Sequence, residues 1–395
     1  MSSEPLLITA SSTVSALGRG IQVAKTALLQ GRSGLRRNDY DDGRLDTWIG
    51  RVEGVENVVL PGALAPFDCR NNRLAALGLE TDGFATAVAT ARQRYGARRI
   101  GLFLGTSTSG IEATEQAYLQ RGSGDGPLPA SFDYRHTHNT YSCADFTRQY
   151  LELEGPAQVI STACSSSAKV FATASRYIQA GWCDAAVIGG IDSLCLTTLL
   201  GFNALELVSA QPCRPWDRHR NGINIGEAAG FALLEPDPGR AGVALLGYGE
   251  SSDAYHMSTP HPQGEGALLA MRRALDSAGL TPVQVDYINL HGTATSSNDR
   301  AEDQAVTRLF KEVPCSSTKG WTGHTLGAAG ITEAVFCKLA IENGLMPGTL
   351  NLQDIDPGLS APILRDTQQR PVRVAMSNSF GFGGSNCALV FGWQG

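Results

Sequence analysis

The stretch from Ala157 to Ala168 constrains the chain more than any other. The β-branched run Val159 to Thr162 reads as a buried strand, and a segment with helical spacing follows, with Val170, Phe171, Ala174, Tyr177 and Ile178 on one side and Gly181 as a stop. Cys164 sits at the junction, followed by three serines suited to a turn or a first helical turn. The first N–H groups of a helix lack internal partners and carry partial positive charge, so a thiol placed there is expected to ionise more easily. The same N–H groups can receive the oxygen of an attacked carbonyl. Taken alone, an inert buried cysteine is the commoner reading.

The rest of the chain repeats this strand–helix alternation, which argues for α/β layers. Strands are expected at 6–10, 99–105, 184–190, 230–235, 243–248, 286–290 and 313–316, with a closing pair at 372–377 and 386–391. Helices are expected at 14–30, 70–92, 199–208, 264–278, 299–310 and 327–343. A loop that opens a helix is expected at 106–110, and irregular chain at 32–66, 121–140 and 212–225. Pro236-Asp237-Pro238-Gly239 breaks the chain, which divides it into 1–236 and 237–395. With 395 residues the chain can hold two domains or one duplicated one, and no short-period repeat is present.

The net charge of −6 gives no support for nucleic-acid binding, though it leaves room for a local basic patch facing an acidic partner. Nine cysteines without a Cys-x-x-Cys pair argue against a metal site or a disulfide framework and suit a reducing cytoplasm. The start, Met1 to Pro5, has no basic segment, and no apolar run reaches ~18 residues, so neither a leader nor a membrane span is expected. The pair His136 and His138 lies in a polar loop and reads as solvated rather than metal-bound.

Two further histidines end segments of interest. His291 closes an apolar strand and runs into Gly292-Thr293-Ala294-Thr295. His324 lies in Ser317-Thr318-Lys319-Gly320-Trp321-Thr322-Gly323-His324-Thr325-Leu326-Gly327-Ala328-Ala329-Gly330, just ahead of a small-residue helix. Each alone is ambiguous between structure and catalysis. Asn378 to Asn386 packs three glycines among two aromatics, which suits either a hairpin connection or the wall of a site. A cysteine protease pairs its thiol with one His and an Asn or Asp. Two His around one thiolate suit a reaction in which an enolate oxygen must also be held, as when a thioester decarboxylates to form a carbon–carbon bond.

In order and approximate spacing, Thr162-Ala163-Cys164-Ser165-Ser166, His291 to Thr295, Ser317-Thr318-Lys319 with Gly323 to Gly330, and Asn378 to Asn386 resemble the elongating β-ketoacyl-acyl carrier protein synthases. Arg214-Pro215-Trp216-Asp217 and Ser252 to Met257 are further similar pieces, so the resemblance covers nearly the whole chain. It implies a thiolase-like duplicated fold of five αβαβα layers. A homodimer is expected, with a heterodimer open. No enzyme-bound cofactor is implied, because the substrate rides on the 4′-phosphopantetheine of an acyl carrier protein.

The resemblance also implies residue roles. Cys164 takes the acyl group; malonyl carrier protein then loses CO2 and its carbanion attacks the acyl-Cys thioester. His291 and His324 hold the thioester carbonyl. The N–H groups of Cys164 and Phe382 form the oxyanion hole. Lys319, paired with Glu333, orders the histidines. Thr293 and Thr295 meet the pantetheine arm, while Phe202, Phe380 and Thr108 line the substrate site and Phe382 gates it. Where many relatives have an aliphatic or Gly residue, this chain has Thr106-Ser107-Thr108-Ser109, and a hydroxyl-bearing wall is expected to favour a short, unsaturated or aromatic-headed primer. Glu206 stands where some relatives carry a basic residue, so carrier docking is expected at Arg70 and Arg73, with Arg135 less suited. The alternatives are a non-elongating, chain-length partner subunit, which typically lacks the nucleophile, and a thiolase-type enzyme using acyl-CoA, which usually carries a different residue set.

Overall fold

The computed structural model describes residues 4–395 except 41–42, 122–123, 237–238 and 240. The expected division after Pro236 therefore falls on residues outside the described set, as does the start, Met1 to Ser3. Ten strands carry the architecture: β1 (Leu6–Ser15), β2 (Ile100–Gly105), β3 (Ala157–Ile160), β4 (Ala185–Asp192), β5 (Ala228–Pro236), β6 (Gly242–Ser252), β7 (Tyr287–Asn289), β8 (Cys315–Ser316), β9 (Val374–Gly381) and β10 (Ser385–Gln394). Their order is β8-β7-β9-β10-β6-β1-β5-β4-β2-β3. Read outward from the centre, β1-β5-β4-β2-β3 matches β6-β10-β9-β7-β8 position for position. The senses match too: two antiparallel pairings, then two parallel ones, in each half. This repetition in space is the duplication that no short repeat in the sequence displays. The halves meet where Leu6 and Leu7 pair with Leu245 and Ala244.

Helices complete five layers. The helices α1 (Arg70–Glu80) and α2 (Phe84–Tyr95) cover the first half, and α3 (Ser166–Gln179) lies inside. The helices α4 (Glu265–Ala278) and α5 (Ser296–Leu309) cover the second half, while α6 (Ala329–Asn343) joins α3 in the middle layer. Three apolar clusters fill the spaces: one under α1 and α2, one around α3 and α6 between the sheet halves, and one under α4 and α5. A helix that is apolar on every side must be covered on every side. Almost all of α6 is buried, Glu333 included. Gly330 sits where α6 meets the first turn of α3; a Cβ there would lie 2.3 Å from the Ala168 nitrogen.

Several boundaries differ from the sequence expectation. The first strand continues to Ser15 because Val14 still pairs with Ala229, so the helix expected at 14–30 begins only at Ile21. The helix expected at 70–92 is two helices, broken at Asp82 (φ 56°) and Gly83 (φ 70°), where the Asp82 carboxylate accepts the Ile21 N–H. The helix expected at 199–208 runs Leu196–Ala204, because Glu115 accepts the N–H groups of Leu196 and Thr197 and so caps an earlier start. The strand expected to be buried at 159–162 is instead β3, a half-exposed strand at the sheet edge. Among the described residues, no helix is long and apolar enough to cross a membrane.

Candidate active site

The turn from β3 into α3 is built by its own hydroxyls. Ser166 Oγ accepts the Thr162 N–H at 2.9 Å and donates to the Ala163 carbonyl at 2.6 Å. Ser165 Oγ donates to the Thr162 carbonyl at 2.9 Å. Ser167 Oγ accepts the Ile331 N–H at 3.0 Å, tying this turn to α6. Ala163 takes a left-handed conformation (φ 52°), which is costly for a residue with a Cβ and persists only when its surroundings dictate it. The bend turns Cys164 into the interior, where its side chain is almost fully buried.

Both histidines meet it there. His324 Nε2 lies 3.0 Å from Cys164 Sγ, and the His291 and His324 ring centroids are 5.4 Å apart, nearly perpendicular. His324 is fixed through its backbone: its N–H donates to Asn224 O at 2.7 Å, and its carbonyl accepts the Gly226 N–H at 2.9 Å. His291, just past β7, is held by Glu302 of α5, whose carboxylate accepts the N–H groups of His291 and Gly292, each at 2.8 Å. Asn378 Nδ2 also donates to Glu302, at 3.1 Å. Burial pushes Glu302 up to about 7 against these hydrogen bonds.

Lys319 and Glu333 are both buried, with Nζ 2.6 Å from Oε1. Burial pushes the Glu333 carboxyl up to about 7 while Lys319 pulls it down. Burial first, and the Lys319 charge second, hold both imidazoles well below their ordinary value, so at neutral pH they are uncharged. The expectation of an easily ionised thiol does not hold in this resting geometry: burial pushes Cys164 up to about 12, with Lys319 and the Phe382 N–H opposing and Asp192 and Glu333 reinforcing. Desolvation of the charged form is the largest of these effects. Cys164, His291 and His324 place their donor atoms within 4.8 Å of one another, a set that could hold a soft metal ion. However, neither Nδ1 has a hydrogen-bond partner among the described residues, whereas metal-binding imidazoles ordinarily have one.

A cavity of about 600 Å³, counting its open mouth, runs from Cys164 and the histidines. Phe202, Leu207 and Ile223 line it, and Thr293 and Thr295 lie along it. The two threonine hydroxyls are 2.9 Å apart. Phe380 and Phe382 form another wall, with the Phe382 ring 5.6 Å from that of Phe202. The structure thus gathers Cys164, His291, His324, Phe202, Phe380, Phe382, Thr293 and Thr295 around one space, with the Lys319–Glu333 pair behind the histidines.

Three expectations change. Thr108 does not line this cavity: the hydroxyls of Thr106, Ser107 and Thr108 all donate to Asp192, so the hydroxyl-bearing wall is consumed by a carboxylate and carries no argument about the primer. Arg70 is buried, its guanidinium 2.6 Å from Glu227 and 2.7 Å from Glu56, and so is no docking residue. Replacing it with Met leaves Glu227 buried without its cation. We expect a loss of about 3–5 kcal/mol in stability, read as a lower urea midpoint; an unchanged midpoint would show the pair to be dispensable. Arg73 stays at the surface beside Asp68, 2.5 Å away, and Arg135 and Glu206 are exposed. His136 Nδ1 lies 2.5 Å from Asp133, and His138 meets Thr114.

Sequence reasoning missed Glu302 and Asp192. A signal existed for Asp192, the lone acid ending the otherwise apolar run Ala185 to Asp192. For Glu302 it lay in the spacing of Asp299, Glu302 and Asp303 on a helix whose alanines face the core.

The sequence profile described as "Beta-ketoacyl synthase, N-terminal domain" matches residues 72–238, and that described as "Beta-ketoacyl synthase, C-terminal domain" matches residues 243–353. A protein named 3-oxoacyl-[acyl-carrier-protein] synthase 2 from Rhizobium meliloti (strain 1021) is 33% identical, over 98% of each chain. Among solved structures, the ketosynthase ApeO in complex with its chain length factor ApeC, from Xenorhabdus doucetiae, superposes with a TM-score of 0.90. It is 37% identical and covers 99% of this chain and 98% of that one. The ishigamide ketosynthase/chain length factor superposes with a TM-score of 0.91 at 25% identity, covering 100% of both chains.

Proposed function

The chain belongs to the β-ketoacyl synthase family, and on that premise we propose that it condenses malonyl carrier protein with an acyl group held on Cys164, losing CO2. The observation that carries this reading is the enclosure of one thiol and two uncharged imidazoles in a single cavity, with a buried Lys–Glu pair behind them.

The steps follow from these positions. As Cys164 Sγ attacks the carrier-bound thioester, its proton passes to His324 Nε2, the base within reach, and then to the departing pantetheine sulfur. The acyl oxygen is held by the N–H groups of Cys164 and Phe382. The malonyl thioester next places its carbonyl against His291 and His324, which hold the enolate oxygen through N–H groups as CO2 leaves. For this step His324 carries its proton on Nε2, the other neutral tautomer from the one that accepts the thiol proton. The carbanion attacks the acyl-Cys carbonyl, the tetrahedral intermediate expels the Cys164 thiolate, and the thiolate takes up one proton from water entering by the open mouth of the cavity. Thr293 and Thr295 line the route of the pantetheine arm. Burial, and secondly the Lys319 charge, keeps the imidazoles neutral, so that they donate hydrogen bonds at physiological pH without a positive charge to attract the malonyl carboxylate.

A non-elongating partner subunit is disfavoured because the nucleophile is present with both histidines. A thiolase-type enzyme is disfavoured because Lys319 and the second His take the place of its usual residue set. We infer a division near residue 236, since each half repeats the same strand order. A dimer is supported by the half-exposed edge β3 and the exposed Tyr118, Leu119, Tyr134 and Tyr141. The likeness to ApeO, solved with its chain length factor, favours a catalytic subunit that works beside such a chain over a homodimer.

The test is the intact mass of carrier-bound products after incubation with malonyl carrier protein and a panel of saturated and polyunsaturated acyl carrier proteins. A gain of one ketide unit supports the synthase. No gain with folded protein, alone or beside a chain-length-factor-like subunit, removes it. Docking is assigned to Arg73. Arg73→Glu is expected to raise the KM for malonyl carrier protein about threefold to tenfold with kcat unchanged; an unchanged KM moves the dock elsewhere.

A further inference from the structure

Asp192 ends β4 with its side chain fully buried, and its two oxygens accept six hydrogen bonds. Oδ1 accepts the N–H groups of Ser107 and Thr108 at 2.8 and 2.9 Å and the hydroxyls of Thr106 and Thr108 at 2.7 and 2.9 Å. Oδ2 accepts the Ser107 hydroxyl and, from a different segment, the Gly327 N–H at 2.5 Å. Gly327 lies three residues beyond His324, across Leu326, which is held left-handed (φ 52°). The approach leaves no room for a side chain: a Cβ on Gly327 would lie 2.7 Å from Asp192 Oδ2 and 2.8 Å from the Ser107 nitrogen.

His324 is therefore gripped from two sides. Asn224 and Gly226 hold its own peptide groups. On the far side, the turn it opens is anchored by one carboxylate, which is itself immobilised by the 106–108 loop. We propose that Asp192 is a positioning residue for His324: it clamps the turn at Gly327 to the 106–108 loop and so sets the imidazole against the Cys164 sulfur. Asp192 touches neither the thiol nor the imidazole, and it acts through the backbone. A misplacement of about 1 Å at a reacting group can cost about 10²-fold in rate. A carboxylate that only accepts suits six donors; an amide in its place would turn its NH2 toward at least two of them.

The consequence for rate rests on the synthase reading, but the positioning itself does not. Asp192→Asn keeps the side-chain volume and spoils the acceptor set. Its kcat for decarboxylation of malonyl carrier protein is expected to fall about 10²-fold, with KM held within about twofold. In 15N-histidine spectra, the His324 ring signals, assigned by their loss in His324→Gln, are expected to shift. Wild-type kcat, or unmoved His324 signals, in a folded Asp192→Asn protein overturns the proposal. If Asp192→Asn does not fold, Gly327→Ala displaces the same clamp from its other end and is held to the same two readings. A wild-type protein that decarboxylates nothing defeats the synthase reading, and the His324 signals then decide the clamp alone.

Discussion

Cys164→Ala is expected to abolish condensation, with a loss of at least about 10⁴-fold. On the proposed reading the thiol is the nucleophile, and the cavity presents it beside a base, with His324 Nε2 at 3.0 Å. Without sulfur no acyl-enzyme forms, so the intact mass of the variant should show no acyl adduct after incubation with acyl carrier protein, whereas wild type gains one. Decarboxylation of malonyl carrier protein should survive, because the two imidazoles that hold the enolate oxygen remain. Removing a small, buried side chain at the head of α3 costs little packing, so the variant should melt close to wild type. Retained elongation in Cys164→Ala would refute the nucleophile assignment.

The second large effect is expected at His324. His324→Ala removes both an enolate donor and the base facing Sγ, and loss of one such donor typically costs about 10²–10³-fold. Decarboxylation and acyl loading should both fall. His291→Ala should lower decarboxylation by a similar factor but leave acyl loading nearly intact, since the imidazole within hydrogen-bond distance of the thiol belongs to His324. The pH dependence follows in sign. Burial and the Lys319 charge depress both imidazole pKa values well below the ordinary range, so the neutral, donating forms persist as pH falls through 6.5. The imidazoles themselves should therefore add no titration to decarboxylation between about pH 6 and 8, where the buried groups near 7 are Glu302 and Glu333. A 15N-histidine titration of either ring centred near pH 6.5 would mean that these imidazoles are solvated. Normal CO2 release by His324→Ala would reassign the role altogether.

The chemistry-bearing segments were legible because each obeys a local rule. Cys164 follows a β-branched run and precedes a helix. His291 ends an apolar strand. Gly323 to Gly330 and Asn378 to Asn386 are dense in glycine, as close backbone approach requires. Element type was readable from periodicity, and the errors lie mostly at boundaries. Asp82 reaches across to cap Ile21, and Glu115 caps Leu196, contacts between residues distant in the chain that no local window contains. The same limit explains Arg70 and Thr108. A cation on a polar helix and a hydroxyl in a loop look available until the acids that claim them, Glu227 and Asp192, arrive from distant segments of the chain.

By itself, then, the sequence determined the strand–helix alternation and the segments that carry Cys164, His291 and His324, because spacing within a few residues expresses those directly, and the resemblance of these segments pointed to the family. Tertiary structure decided the electrostatics. Burial, a property of the whole fold, holds Cys164 protonated, keeps the imidazoles neutral and raises Glu302 and Glu333 to about 7. It also decided which buried acids act as anchors. Desolvation and long-range pairing depend on what packs around a group, and that is set only when two halves with the same strand order close around α3 and α6.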